Sequence, residues 1–470
     1  MTAVLDATET TPPRAGTRST DQPGAMRLAA GAAGSAGAAG SAGATARALA
    51  GLDPHELAAL YGTPFFLYDL DVLDARVAAL RLALPPNADL AFAVKANPSL
   101  AVLSRLARLG LGADVASAGE LQAAVRAGMP LDRVVFTGPG KTDAELGQAL
   151  RLGVHAITIE SLDELDSLIE LFGVARPGQG LLLRLAVEGA AEARPIIGGA
   201  GAAKFGLLPD ELDEAIDRLQ RTGAAFGPGS PFRLLGLHAF GASNVLDADQ
   251  LVRGVVQLAE RAESIGRRHG IPIHQLDVGG GLGIPYADDQ PELDLVRLRD
   301  GLAREVATFP DRAALNGTRL LFEPGRWLTG PIGGYVVRVL RTKRRGERTV
   351  VVVDGGIHQL ARPALIGQSQ RIAHLGSAAM GDRPMTRVDV VGPLCTGLDV
   401  LAADVALPEP RSGDLLCVMD TGAYGFTESM PYFLSHPQPA ELVASGGRAG
   451  VARLRTDPIE TLSRQLVPFR

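Results

Sequence analysis

Leu90-Ala91-Phe92-Ala93-Val94-Lys95-Ala96-Asn97-Pro98 is an apolar run that ends on a lysine. It reads as a strand that delivers Lys95 to its C-terminal end, and its kind recurs along the chain. Short apolar runs at 65–68, 90–94, 112–115, 134–137, 156–159, 181–185, 234–238, 275–278 and 319–323 alternate with amphipathic stretches such as 71–83, 118–127, 143–151, 162–172 and 247–269. Repeated strand–helix units predict a parallel sheet. Eight or nine units over about 250 residues fit a closed (β/α)8 barrel better than an open doubly wound sheet. In such a barrel, the strand end that carries Lys95 is where active sites are built.

Beyond Trp327 the pattern changes to short β-type runs at 336–341, 349–353, 388–391 and 415–419, separated by Gly/Pro-rich connections. These predict a C-terminal, mainly antiparallel β domain. The expected organisation is therefore a tail over 1–48, a barrel over 49–328, and a β domain over 329–470 to which some N-terminal residues contribute. The tail is an Ala/Gly/Ser stretch with no large side chains to bury and is expected to be disordered. It lacks the basic start and strongly apolar core of a secretory signal, and Asp6, Glu9 and Asp21 argue against a transit peptide.

The 470 residues carry a formal net charge of −6, which gives no electrostatic reason to expect nucleic acid or an anionic membrane as partner. No run of 18 apolar residues occurs, so no transmembrane helix is expected. The only cysteines are Cys395 and Cys417, which excludes a disulfide scaffold and points to a reducing, cytoplasmic setting. Only four of the 46 basic residues are lysines: Lys95, Lys141, Lys204 and Lys343. With arginine as the default cation, a lysine in an apolar setting calls for a reason, because only lysine offers an amine nucleophile. Desolvation at the strand end is expected to lower the Lys95 pKa, as amine nucleophiles require.

Other strand ends carry polar groups. Gly279-Gly280-Gly281-Leu282-Gly283 offers bare backbone to a phosphate, although Ile284 breaks the dinucleotide fingerprint and a tight strand-to-helix turn explains the run equally. Glu323-Pro324-Gly325-Arg326 places a carboxylate where it could keep a heterocyclic nitrogen protonated; the plainer alternative is a surface ion pair. His238, taken alone, is a satisfied core histidine. Cys395 lies in a Gly/Pro loop, accessible for proton transfer, and Tyr424 could donate to a phosphate. The basic run from Arg341 to Arg348 lies between two β-type runs and is expected to be a solvated hairpin tip. No metal site is expected.

Together these segments, spread over residues 60–442, resemble the fold-type III pyridoxal-phosphate decarboxylases, the diaminopimelate/ornithine decarboxylase family. The resemblance implies an alanine-racemase-like barrel followed by a β domain, and homodimers with active sites shared between subunits. It implies that Lys95 carries the pyridoxal 5'-phosphate cofactor and that Asp114 positions that lysine. His238 would stack on the ring, while Gly279, Gly280 and Gly281, helped by Ser243, would bind the phosphate. Glu323 would face the ring nitrogen, Arg326 would contact phosphate or substrate, and Tyr424 would do likewise. Cys395 resembles the thiol that the neighbouring subunit supplies.

Departures from the family bear on the substrate. Thr396 stands where a carboxylate normally meets a distal ammonium group, and a buried amine facing it would lose its partner. Asp399 is expected to compensate in part. Arg362-Pro363-Ala364-Leu365 resembles a distal-carboxylate site, but Ile366 replaces the usual tyrosine. These features resemble biosynthetic-cluster decarboxylases acting on acylated or carrier-protein-linked amino acids. A true diaminopimelate decarboxylase making L-lysine is the alternative. An amino-acid racemase or a non-catalytic cofactor-binding barrel is disfavoured by Pro98-Ser99 and Glu323, and by the β domain, respectively.

Overall fold

The protein is described by a computed structural model over residues 49–174, 177–186, 204–223, 229–376 and 383–463. The expected tail at 1–48 lies outside these residues. The first apolar run forms strand β1 (Phe65–Asp69). The next eight are β2 (Ala88–Ala93), β3 (Gly112–Val115), β4 (Val134–Phe136), β5 (Ala156–Ile159), β6 (Gln179–Arg184), β7 (Phe232–His238), β8 (Gln275–Asp277) and β9 (Arg319–Phe322). These eight close into a barrel in chain order, every neighbouring pair parallel, with β2 paired to β9.

Period-two alternation explains why the barrel is filled rather than hollow. Ala91, Val135, Ala156, Leu182, Leu235 and Leu321 pack together as one small buried cluster from six strands. Their chain neighbours Phe92, Phe136, Ile157 and Leu183 join the large core shared with the surrounding helices. The helices start where the sequence offers oxygen acceptors. Thr142 and Glu145 form a reciprocal capping box, and Asp247 caps the 22-residue helix Ala248–His269, which stops at left-handed Gly270.

A second sheet holds the remaining strands: β10 (Gly333–Arg345), β11 (Arg348–Val353), β12 (Ile372–Leu375), β13 (Met385–Val391), β14 (Val400–Pro408), β15 (Leu415–Met419), β16 (Ala440–Ser445) and β17 (Arg448–Arg453). Its main path runs β14-β13-β11-β10-β1-β16-β17 and is mostly antiparallel. Strand β1, read above among the alternating strand–helix runs, belongs to this sheet and not to the barrel. It lies between β10 and β16, which satisfy its backbone on both edges. Phe65 and Leu67 face a cluster with Leu57 of the helix Pro54–Tyr61, while Phe66 stacks on Tyr335, ring centres 4.5 Å apart. A strand buried on both faces is as continuously apolar as a barrel strand, so its composition could not assign it. The basic run does form the exposed β10–β11 turn around Gly346.

The two units meet at the barrel mouth. Asn97 donates through Nδ2 to the Gly422 carbonyl at 2.8 Å, and the Tyr424 amide donates to the Ala96 carbonyl at 2.8 Å. The loop after β15 is thereby fastened beside Lys95.

Candidate active site

Lys95 follows β2 in a single 3-10 turn, Val94–Ala96. Its Nζ lies 2.6 Å from Asp114 Oδ2, on the neighbouring strand β3, and its side chain is 38 % exposed. Thr137, just past β4, donates through its hydroxyl to the other Asp114 oxygen at 2.5 Å. Burial pulls the Lys95 pKa down, but Asp114, Glu323 and Tyr424 together outweigh it and hold the amine above its ordinary value. The expected net lowering is therefore not found. In the barrel mouth the nearby carboxylates matter more than the loss of water. Burial and Glu323 push the Asp114 pKa up, opposed by Lys95 and Thr137. With an ammonium on one oxygen and a hydroxyl on the other, Asp114 acts as the counter-ion.

Opposite this pair, three adjacent strand ends converge. His238 ends β7, Asp277 ends β8, and Glu323 follows β9; they are 2 %, 0 % and 5 % exposed. One polar atom of each lies within 4.8 Å of the others. His238 Nε2 is 3.7 Å from Glu323 Oε2, longer than a hydrogen bond, and neither imidazole nitrogen has a hydrogen-bond partner. Glu323 Oε1 is also unpartnered. A satisfied core histidine and a surface ion pair are thus both ruled out as explanations. Burial raises the Glu323 pKa, but His238, Lys95 and Asp277 overcome it and hold the carboxyl well below the ordinary range.

The glycine run between β8 and Glu323 is required by space as well as by backbone angle. Gly279 and Gly281 have φ of +66° and +89°. A Cβ on Gly280 would fall on the Glu323 carbonyl oxygen, and one on Gly279 would meet the Phe240 ring at 2.9 Å. Side chains are excluded from this turn because Phe240, Ala242 and the Glu323 backbone pack against it.

A cationic wall completes the mouth. Arg326, 9 % exposed, donates through Nη1 to the Tyr286 hydroxyl at 2.8 Å and reaches Ser243 Oγ at 3.5 Å. Its guanidinium lies 4.7 Å from the Tyr424 ring centre. Arg362, 5 % exposed, stacks 3.5 Å over the Tyr286 ring, and its Nη1 has no partner. Burial lowers the Arg362 pKa, with Arg326 adding to it.

The fold thus gathers Lys95, Asp114, His238, Ser243, the three glycines, Glu323, Arg326, Arg362 and Tyr424 at one barrel end. It does not gather the loop at 392–399. Cys395 is exposed there, and Thr396 uses its hydroxyl to accept from the Leu398 amide at 3.3 Å. Asp399 is taken up inside the loop itself. It is 3 % exposed, and its carboxylate accepts from the amides of Ile357 and Leu394, each at 2.7 Å. Its two oxygens join two loops, one amide on each.

Sequence reading missed Asp277 and Tyr286. Asp277 is a lone acid ending an apolar run, the same signal that singled out Lys95. Tyr286 stands three residues past Gly283 in a chain with only six tyrosines.

Comparison with known proteins agrees with this geometry. Residues 70–330 match the pyridoxal binding domain of the pyridoxal-dependent decarboxylases. The chain is 30 % identical to the L-glutamyl-(BtrI acyl-carrier protein) decarboxylase of Niallia circulans, over 88 % of this chain and 97 % of that protein. It is 35 % identical to the diaminopimelate decarboxylase of Pseudomonas aeruginosa, covering 86 % of this chain and 93 % of the relative. Among solved structures, diaminopimelate decarboxylase from Helicobacter pylori complexed with L-lysine superposes with a TM-score of 0.78 at 27 % identity, covering 87 % of this chain and 98 % of that one.

Proposed function

Because the chain belongs to the pyridoxal-dependent decarboxylases, the diaminopimelate and ornithine enzymes' family, we propose that it removes the α-carboxylate of an amino acid whose far end is acylated or carrier-linked. Its cofactor is pyridoxal 5'-phosphate, and the residues present suit that group. A flat cationic heterocycle needs a dry carboxylate with a free oxygen, and Glu323 Oε1 is one. Its phosphate needs bare backbone and a cation, which the Gly279–Gly281 turn and Arg326 supply.

Bound there, the cofactor supplies the electron sink for the pair released when CO2 leaves. The chain's own residues do the rest. Lys95 would hold the cofactor's aldehyde carbon, and Asp114 would fix the amine at the strand end. Glu323 would keep the ring nitrogen protonated, and His238 would press on the ring face. The Gly279–Gly281 backbone, Ser243 and Arg326 would hold the phosphate, with Tyr424 closing the wall from the second sheet. The partner subunit's Cys395 would return a proton to Cα, since the thiol of this chain is exposed on its loop.

The observation that carries the substrate reading is Arg362. Its buried guanidinium keeps an open Nη1 beside Arg326, while the position that would face a distal ammonium is the neutral Thr396. A distal carbonyl or carboxylate suits that wall; a distal ammonium does not. A glutamyl group joined to an acyl-carrier protein, as the Niallia circulans relative's name describes, offers such a carbonyl. A mass-spectrometric screen for CO2 loss should set free diaminopimelate, ornithine, lysine and arginine against glutamyl, acylated and carrier-bound substrates. Turnover is expected only with the acylated or carrier-linked class. Efficient release of L-lysine from diaminopimelate would replace this reading with the diaminopimelate one. Arg362→Ala should raise the KM for the preferred substrate by roughly tenfold or more, the scale of a lost charged hydrogen bond. Its cofactor absorbance should match wild type. An unchanged KM would remove Arg362 from the substrate site.

A further inference from the structure

The barrel mouth holds one buried acid more than the proposed chemistry uses. Asp277 is fully buried at the end of β8, between His238 of β7 and Glu323 beyond β9. Its Oδ1 accepts from the Gly279 amide at 3.0 Å, while Oδ2 has no partner. Glu323 Oε1, in the same dry cluster, has none either. Two carboxylates this close and this deep do not both ionise, because burial leaves their mutual repulsion unscreened. The other titratable groups facing them are His238, whose Nε2 lies 3.7 Å from Glu323 Oε2, and Lys95 and Asp114, which pair with each other at 2.6 Å.

We propose that Asp277 stands protonated at neutral pH and donates through its Oδ2 hydroxyl to Glu323. One shared proton gives both orphaned oxygens a partner, and the second lone pair of Glu323 Oε1 stays open to the ring nitrogen. Which acid keeps it follows from position. Glu323 faces the cations, whereas Asp277 meets burial first and then the charge of Glu323, both of which push its pKa well up. Asp277 is therefore a positioning residue. It fixes the Glu323 carboxylate in its ionised state and couples that state to the glycine turn through the Gly279 amide. This inference rests on the reading that Glu323 faces the cofactor's ring nitrogen.

The test uses the full-length holoenzyme. Labelling aspartate with 13C at its side-chain carboxyl and recording infrared spectra at pH 7.5 should reveal a protonated-carboxyl stretch that moves with the label and vanishes in Asp277→Asn. Absence of such a band, or its survival in that variant, would overturn the proposal without touching the role of Glu323. Asp277→Asn keeps a donor and should hold pyridoxal phosphate with near wild-type affinity. Asp277→Ala loses it and should weaken binding about tenfold or more at pH 7.5, the weakening growing as pH falls. Equal losses in the two variants would also overturn it. Glu323→Gln tests the underlying reading separately: unaltered cofactor absorbance there would move the ring nitrogen elsewhere, whatever the infrared band shows.

Discussion

At the scale of the residue, the site is a problem of charge placed in a dry barrel end. Burial by itself would lower the amine's pKa, but Lys95 lies 2.6 Å from a carboxylate that a threonine hydroxyl steadies from the other side. The free amine is thus held as ammonium beside its counter-ion, at the place where it would hold the cofactor. Lys95→Ala should fold, lack the visible absorbance of bound cofactor, and have no measurable decarboxylase activity. Absorbance like that of wild type in this variant would contradict the assignment. The sequence made Lys95 legible because it is one of four lysines and ends an apolar strand. The sign of its pKa shift was not legible, because that depends on Asp114 and Glu323, which are 19 and 228 residues away in the chain.

At the scale of the element, each strand end or turn contributes one functional group, and the same local rule produced a false reading once. β1 has the look of a barrel strand and is not one; only its pairing with β10 and β16 decides its place. The segment after β11 shows the converse, a buried titratable side chain with no part in the proposed chemistry. His358 is 1 % exposed, its ring centre is 4.8 Å from that of His436, and neither nitrogen has a partner. Burial, then the neighbouring His436, brings its pKa down from 6.5 to about 4. The unfolded chain therefore takes up this proton first. The folded state loses stability as pH falls from 6.5 to about 4, and the loss levels off below that. His358→Gln should lessen this slope, so its Tm should gain on wild type as pH is lowered from 7 towards 4. Parallel Tm curves across that range would remove His358 from the acid response.

At the scale of the whole molecule, the second sheet acts as a platform that brings Tyr424 to the barrel mouth while leaving Cys395 exposed on a loop. In the same part of the chain, Leu398, Tyr432, Phe433 and Leu434 are 65 %, 68 %, 42 % and 47 % exposed. If active sites are shared across a dimer, Lys95→Ala and Cys395→Ala lie on opposite sides of each site. Either variant alone should be inactive or strongly impaired. Mixed after dissociation and reassociation, they should recover about a quarter of wild-type activity, since half the dimers are hybrids with one intact site of two. No recovery, with hybrid dimers shown to form, would place both residues in one subunit's site.

The chain order of apolar runs, the lysine at a strand end, the glycine turn and the buried acid after β9 were fixed by composition and spacing. These are local properties, and they sufficed for the barrel and for most of the site. What the linear chain could not contain was who faces whom. Asp399 has the spacing of a substrate ligand, yet two backbone amides occupy it. Asp277 ends an apolar run as Lys95 does, yet nothing local says that it meets His238 and Glu323. Those outcomes were decided by tertiary packing, because a carboxylate's role is set by the charges and donors within a few ångströms of it, and folding alone determines which ones those are.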